Sequence, residues 1–70
     1  MADYVSISVN GNLVTIGRAV TVADLLYDLG YDRNRVAVEI DGEICPKALY
    51  SEKVVEDGSS FEVVTFVGGG

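Results

Sequence analysis

The stretch TVADLLYDLG, residues 21–30, decides the fold because it contains the one convincing helix of the sequence. Its apolar residues recur at the i, i+3, i+4 and i+7 spacing of a single helical face: Val22, Leu25, Leu26 and Leu29. Thr21 is the predicted N-cap, with Asp24 in place of the usual Glu of a capping box. Gly30 occupies the position where a left-handed residue commonly ends a helix. The stretch therefore predicts one amphipathic helix that packs through a single face.

Two strands precede this helix. Apolar and polar residues alternate from Val5 to Val9, which is typical of a half-buried strand. The sequence NGN, residues 10–12, supplies a tight turn, because Asn-Gly tolerates the positive φ angles that such a turn requires. A second strand, from Leu13 to about Gly17, is expected to return antiparallel to the first.

Shorter strands follow the helix. VAVEI, residues 36–40, predicts a third strand, and Asp41-Gly42 predicts a second tight turn. Glu43 to Cys45 can pair briefly before Pro46 removes a backbone donor. Three further segments complete the pattern: PKALYS (46–51) as an irregular or one-turn helical stretch, KVV (53–55) as a short strand, and Phe61 to Val67 as the last strand.

This order of elements predicts an α+β fold of the β-grasp (ubiquitin-like) type, although order alone leaves other small α+β folds open. We expect a mixed sheet of four or five strands with the helix on one face. The last strand is expected beside the first, with the chain terminus at an edge of the sheet. The predicted domain is 1–67, followed by a flexible glycine tail, 68–70.

Size and composition restrict the function. Seventy residues bury only about 60% of their unfolded surface, which leaves little room for a deep active site. The net charge of −6 and scattered basic residues argue against nucleic acid as a partner. With one Cys and no His, no disulfide or metal site is expected. Neither a signal peptide nor a membrane span is visible, so we expect a cytoplasmic protein.

The sequence FEVVTFVGGG, residues 61–70, carries the chemical argument. Without Cβ atoms, three extended glycines could thread a narrow channel and carry a carboxylate ~10 Å beyond the sheet. A carboxylate is a poor electrophile, and conversion to an acyl-adenylate supplies a good leaving group. A sulfur nucleophile would then give a thiocarboxylate, and a lysine amine an amide. Without His, a Ser-His-Asp triad is impossible.

The chain resembles the ThiS family, the sulfur carriers of thiamine (thiazole) biosynthesis. The resemblance rests on VAVEIDG (36–42), CPK (45–47), the Asp57-Gly58 turn, the terminal VGGG (67–70) and the helix TVADLLYDLG. Three positions depart from the family pattern: Lys47 replaces a common Arg, Tyr50 a frequent Trp, and Ser59 the Asp of a Gly-Asp turn. These departures concern contacts with partners rather than the terminus.

The resemblance implies a protein co-substrate that catalyses nothing by itself. An E1-like adenylyltransferase of the ThiF type would use ATP and magnesium to adenylate Gly70. A cysteine desulfurase relay would supply the sulfur, and thiazole synthase of the ThiG type would take it from the thiocarboxylate. Gly68, Gly69 and Gly70 would form the tail that enters both enzymes. The chain itself would bind no cofactor or metal.

Two further features carry hypotheses. On the last strand Glu62, Val64 and Phe66 share one face, and if the other face meets the helix, these residues form a candidate docking surface. Cys45 could carry a persulfide, but a small core residue is the favoured interpretation. The acidic residues are expected to form a solvated face: Glu52, Glu56, Asp57 and Glu62.

Other functions remain open at this point. A carrier for molybdopterin synthesis or another sulfur pathway would share the fold and the terminal Gly-Gly. A ubiquitin-like modifier would form an amide with a lysine of its target. A pure interaction module would not need Gly69 and Gly70.

Overall fold

The computed structural model of the protein describes residues 3–67. Within these residues the elements follow in the order β1 Tyr4–Val9, β2 Asn12–Gly17, α1 Val22–Asp28, β3 Val36–Ile40, β4 Glu43–Cys45, the 3-10 turn Lys47–Leu49 and β5 Ser60–Thr65. The strands form one sheet in the order β2-β1-β5-β3-β4. β1 and β5 are parallel, and the other neighbours are antiparallel. The predicted α+β, β-grasp arrangement is confirmed, with five strands and one main helix.

The last strand lies beside the first, as predicted, but at the centre of the sheet rather than at an edge. The edge prediction is wrong because β5 also pairs with β3, from Val36↔Thr65 to Ile40↔Phe61. The strand ends at Thr65 instead of Val67. Phe66 N–H still donates to Arg35 O over 2.8 Å, so the ladder continues one bond further.

Both predicted tight turns are confirmed. Asn10 and Gly11 have φ angles of 51° and 84°, and Asp41 and Gly42 have 51° and 86°. Two successive positive φ angles define the type I′ turn, whose twist matches that of the flanking strands. The turns fix the β1–β2 and β3–β4 registers.

The helix begins with the predicted capping box. The Thr21 hydroxyl accepts from Asp24 N–H and the Asp24 carboxylate accepts from Thr21 N–H, both at 3.2 Å. Val22 and the Leu25–Leu26 pair are completely buried against the sheet. The predicted stripe is one residue too long, because α1 ends at Asp28 and the C-cap residue Leu29 is 39% exposed.

The core lies between α1 and one face of the sheet. Cys45 is buried in it, which confirms its interpretation as a core residue. The other buried apolar residues are Val5, Ile7, Val9, Val22, Leu25, Leu26, Val36, Val38, Tyr50, Val55, Phe61 and Val63.

The segment between β4 and β5 differs in part from the prediction. The one-turn helix is confirmed at Lys47–Leu49. The short strand predicted at residues 53–55 is wrong, since Val54 forms only an isolated bridge with Thr21. Val55 is buried and its N–H donates to Val20 O at 2.8 Å. This segment therefore packs beside the N-terminal end of α1. No helix within residues 3–67 is long and apolar enough to cross a membrane.

The capping box gives a stability prediction. Thr21→Ala removes the side-chain acceptor of Asp24 N–H, so the free energy of unfolding should fall by about 1 kcal/mol. Urea denaturation followed by circular dichroism measures the change. Thr21→Ser is the control, because it keeps the hydroxyl and should recover most of the loss. Equal stability of the Ala and Ser variants would contradict a role for the hydroxyl.

Candidate functional site at the end of the last strand

The candidate site begins where β5 leaves the sheet. Thr65 is the last residue of the strand, Phe66 makes one more backbone bond, and Val67 is 96% exposed. The predictions for Gly68, Gly69 and Gly70 fall outside the described residues. The structure therefore places the base of the tail, at the end of the central strand.

The side chains of β5 alternate between the two faces as the sequence predicts. Phe61 and Val63 are buried on the helix side. Val64 and Phe66 are each 57% exposed, and Glu62 is exposed on the same face. The structure thus brings together the three predicted docking residues, Glu62, Val64 and Phe66, which we call the outer patch. Neighbours on one face of a strand are roughly 7 Å apart, so a single partner surface can reach all three.

The register with β3 and β4 extends the outer patch across the sheet. Val64 lies opposite Ala37, which is also exposed. Glu62 lies opposite Glu39, and Glu39 lies opposite Ile44, which is 75% exposed. Like charges directly opposite one another are unfavourable in an isolated sheet. The surface is therefore apolar near the tail and acidic one step further from it.

The first residues of both hairpin turns hold β5 in place. The Asn10 amide pairs with Val63: Nδ2 donates to Val63 O at 3.1 Å, and Oδ1 accepts from Val63 N–H at 2.8 Å. The Asp41 carboxylate accepts from Ser60 N–H at 2.8 Å. Sequence reasoning identified both only as turn residues. The available signal was their type, because Asn and Asp combine tolerance of positive φ with a short polar side chain.

Cys45 is distant in the sheet from this site, because it lies on β4 and β3 separates β4 from β5. Burial raises the pKa of the Cys45 thiol, and the Lys53 ammonium offsets part of that rise. Burial likewise raises the pKa of the Tyr50 phenol. A buried thiol with a raised pKa is a poor nucleophile at neutral pH. Its environment therefore favours a structural role over sulfur transfer.

The acidic residues predicted to form a solvated face are exposed: Glu52, Glu56, Asp57 and Glu62. Asp57 has a further contact, since its carboxylate accepts from Ser6 N–H at 2.8 Å. Within residues 3–67, no three His, Cys, Asp or Glu side chains cluster closely enough to hold a metal ion.

Comparison with solved structures supports the fold and the family together. The crystal structure of the thiamine biosynthesis protein ThiS from Geobacter metallireducens superposes with a TM-score of 0.78 at 31% sequence identity, covering 93% of this chain and 99% of that one. The solution structure of a thiamine biosynthesis protein from the same organism gives 0.75 at 31% identity, covering 93% and 87%.

Sequence comparison extends this likeness. A thiazole synthase from Paramagnetospirillum magneticum is 44% identical over 62 residues, which are 89% of this chain but only 19% of that protein. An uncharacterized protein, ycf40, from Pyropia yezoensis is 33% identical over 94% of this chain and 93% of its own length.

The family model described as the ThiS family matches residues 3–70, nearly the whole chain. This match and the thiamine-biosynthesis neighbours support a sulfur-carrier role in thiamine synthesis. On these grounds the chain belongs to the ThiS family.

Proposed function

We propose that this protein carries sulfur for thiazole formation as a thiocarboxylate on Gly70. The observation that carries the proposal is the position of β5. It is anchored at the centre of the sheet and leads to the exposed Val67, three residues before Gly70. A domain held in this way can present its last residues to another protein without unfolding. The family match through residue 70 supports the same function.

The proposed chemistry takes place in partner enzymes. A ThiF-type adenylyltransferase joins the Gly70 carboxylate to the α-phosphate of ATP, with magnesium on the phosphates, and releases pyrophosphate. The terminal sulfur of a persulfide, supplied by a cysteine desulfurase relay, then forms the carbon–sulfur bond as AMP leaves. A second thiol reduces the sulfur–sulfur bond and frees the thiocarboxylate. The folded domain supplies no catalytic group in this scheme and acts as a co-substrate.

A side-chain-free tail suits this chemistry. The reacting carbonyl must lie close to ATP, inside an enzyme that excludes water from the acyl-adenylate. Three glycines in Gly68–Gly70 add no bulk beyond the backbone, and their chain can adopt conformations closed to other residues. The folded domain, whose core is filled by apolar side chains, would remain outside the active-site channel of the enzyme while the glycines enter it.

We further propose a thiazole synthase of the ThiG type as the acceptor of the sulfur. The thiazole synthase of P. magneticum is 44% identical to this chain over a segment that makes up 19% of that protein. That protein, named thiazole synthase, therefore contains a carrier-like segment in the same polypeptide as the rest of its sequence. Such a linkage gives the two parts a high effective concentration, which is useful when one acts on the other.

The outer patch is the proposed docking surface for these partners. Val64 and Phe66 offer exposed apolar area next to the base of the tail, and aromatic residues are enriched at protein interfaces. Glu62 and Glu39 lie directly opposite each other on the adjacent strands β5 and β3. Their carboxylates repel each other less when a cationic side chain lies between them. We therefore expect a partner surface with apolar residues and at least one Lys or Arg.

Loading of the terminus is tested by intact mass spectrometry. Incubation with a ThiF-type enzyme, ATP, magnesium and a persulfide donor should add the mass difference of sulfur for oxygen to the full-length chain. Removal of Gly69 and Gly70 should abolish the gain, because no acceptor carboxylate then reaches ATP. Continued thiazole formation with the shortened chain would contradict the proposal. Branched Gly-Gly peptides on lysines of other proteins would indicate a modifier instead.

The outer patch is tested by Phe66→Ser. The substitution removes the largest apolar side chain next to the tail, so the dissociation constant for the adenylating enzyme should rise roughly tenfold. Tyr27→Ser is the matched control: Tyr27 is an aromatic residue, 83% exposed, on the helix rather than on this face of the sheet. Binding should weaken only in the Phe66 variant. Equal affinities for both variants would exclude Phe66 from the interface.

Cys45 provides a test of the alternative sulfur site. Cys45→Ala should accept sulfur at the same rate as the wild type, since the proposed acceptor is Gly70. In the folded protein a thiol reagent at neutral pH should modify Cys45 more slowly than in urea, because burial protects the thiol and raises its pKa. Loss of loading in a folded Ala variant would assign a chemical role to Cys45.

A further inference from the structure

The two sides of β5 use alternate residues for backbone hydrogen bonds. Asp41 N–H donates to Ser60 O at 2.8 Å, and Phe66 N–H donates to Arg35 O at 2.8 Å. In an antiparallel pair the bonded residues alternate with unbonded ones. The even-numbered residues of β5 therefore face β3, and Phe61, Val63 and Thr65 direct their backbone groups to the opposite side. Asn10 N–H confirms this by donating to Phe61 O from the β1 side at 2.9 Å.

The β1 side of this ladder ends before the strand does. The register with β1 stops at Val9↔Phe61, because the chain turns away at Asn10. The Asn10 side chain supplies the next rung through its two bonds to Val63. β1 contributes nothing beyond that rung, and β5 continues alone on this side.

Thr65 is left with an open edge. Within residues 3–67, its N–H and C=O have no hydrogen-bonding partner on the side away from β3. Thr65 is also exposed, so a second chain can reach these groups. An unpaired donor and acceptor on a strand edge form a template for another strand.

A small groove lies beside the Asn10 rung. The Asn10 amide is 3.5 Å from the Tyr31 hydroxyl, and a groove of about 170 Å³ is lined by Val9, Asn10, Asn12, Val14, Leu29 and Tyr31. Leu29, which the sequence assigned to the buried stripe, is 39% exposed at this groove. Recognition by strand addition combines backbone hydrogen bonds with pockets for alternate side chains. The groove has the size and apolar character for one such side chain.

We propose that the outward N–H and C=O of Thr65 pair with an extended segment of the enzyme that activates Gly70, which would lie beside the end of β5. An apolar side chain of that segment would occupy the groove at Leu29 and Tyr31. This inference rests on the proposed function, since the occupant is the enzyme that activates Gly70. Thr65 is only five residues from Gly70, so an enzyme that holds the terminus must approach this edge.

The length of the edge favours this occupant over a second copy of the chain. Among residues 3–67, Thr65 is the one residue of β5 beyond the Asn10 rung whose outward N–H and C=O are unpaired. One residue of pairing is too little to hold two copies together, because an isolated two-stranded pair is marginal even at greater length. An enzyme that already binds the tail and the outer patch needs only this short pairing to fix the direction in which the tail enters.

Thr65→Pro tests the pairing. Proline removes the Thr65 N–H, which points away from β3, and leaves the hydrogen bonds between β5 and β3 in place. Proline is tolerated at sheet edges because the N–H that it lacks is not part of a ladder there. The KM for the carrier in adenylation by a ThiF-type enzyme should rise roughly five- to tenfold, as expected for one lost hydrogen bond at an interface, with kcat little changed.

Thr15→Pro is the matched control. Arg18 N–H donates to Asp3 O, so this position of the β1–β2 ladder is a hydrogen-bonded pair. Thr15 lies opposite Ser6, three residues further along the same register. Because bonded and unbonded pairs alternate, the Thr15 N–H points to the free edge of β2. The same substitution there removes an outward donor far from the tail and should leave the KM unchanged. Circular dichroism verifies that both variants fold.

Hydrogen exchange on the wild-type chain supplies a second measurement that needs no variant. The Thr65 amide should exchange more slowly when the enzyme is bound, and the Thr15 amide should not. Equal KM values for the two Pro variants, or an unprotected Thr65 amide in the complex, would overturn the proposed pairing. Normal adenylation of the wild type in the same experiment would still uphold the proposed function. Absence of wild-type adenylation would overturn both. If Thr65→Pro fails to fold, the exchange result decides alone.

Discussion

The central position of β5 is the constraint on which the rest of the structure depends. A strand flanked on both sides has its direction fixed by two ladders, so the sheet also fixes where the chain leaves it, at Phe66 and Val67. On one side β3 pairs with it from Phe61 to Thr65, and on the other β1 pairs with it up to Phe61. The buried Phe61 and Val63 anchor the same strand to the core beneath α1. The strand that precedes the glycines is therefore held by two ladders and by the core, as the proposed presentation of the terminus to an enzyme requires.

Local patterns were sufficient to predict most elements, because their signals lie within a few residues. The capping box at Thr21 and Asp24, the two type I′ turns and the alternation along β5 all belong to this class. The errors arose where distant contacts decide. The centre position of β5 depends on pairing with β3, the bridge at Val54 depends on Thr21, and the exposure of Leu29 depends on where the helix stops. None of these contacts has a periodic signature. The outer patch followed from alternation alone, whereas the open edge at Thr65 requires the registers of two neighbouring strands.

Asn10 and Asp41 show how a small domain uses one residue for two purposes. Each opens a type I′ turn with a φ angle of 51°, a conformation that few side chains tolerate. Each then turns its side chain onto the backbone of β5, at Val63 and Ser60 respectively. Seventy residues leave few positions for dedicated polar supports, so the turn residues provide them. The sequence pattern therefore predicts the turn but not the second role of its first residue, which depends on the register of the central strand.

The relation between the outer patch and the tail follows from the same strand. Val64 and Phe66 point away from the helix, and their backbone groups face β3, so partner contacts with these side chains do not disturb the ladder. Thr65, between them, directs its backbone groups to the opposite side, where the proposed pairing with the activating enzyme would use them. In the proposed complex, side-chain recognition and backbone recognition would alternate along the last residues before the glycines. An enzyme that reads both would align the strand before the terminus reaches ATP, and the glycines would need no recognition features of their own. Such a division would allow a tail without side chains to be delivered to a specific active site.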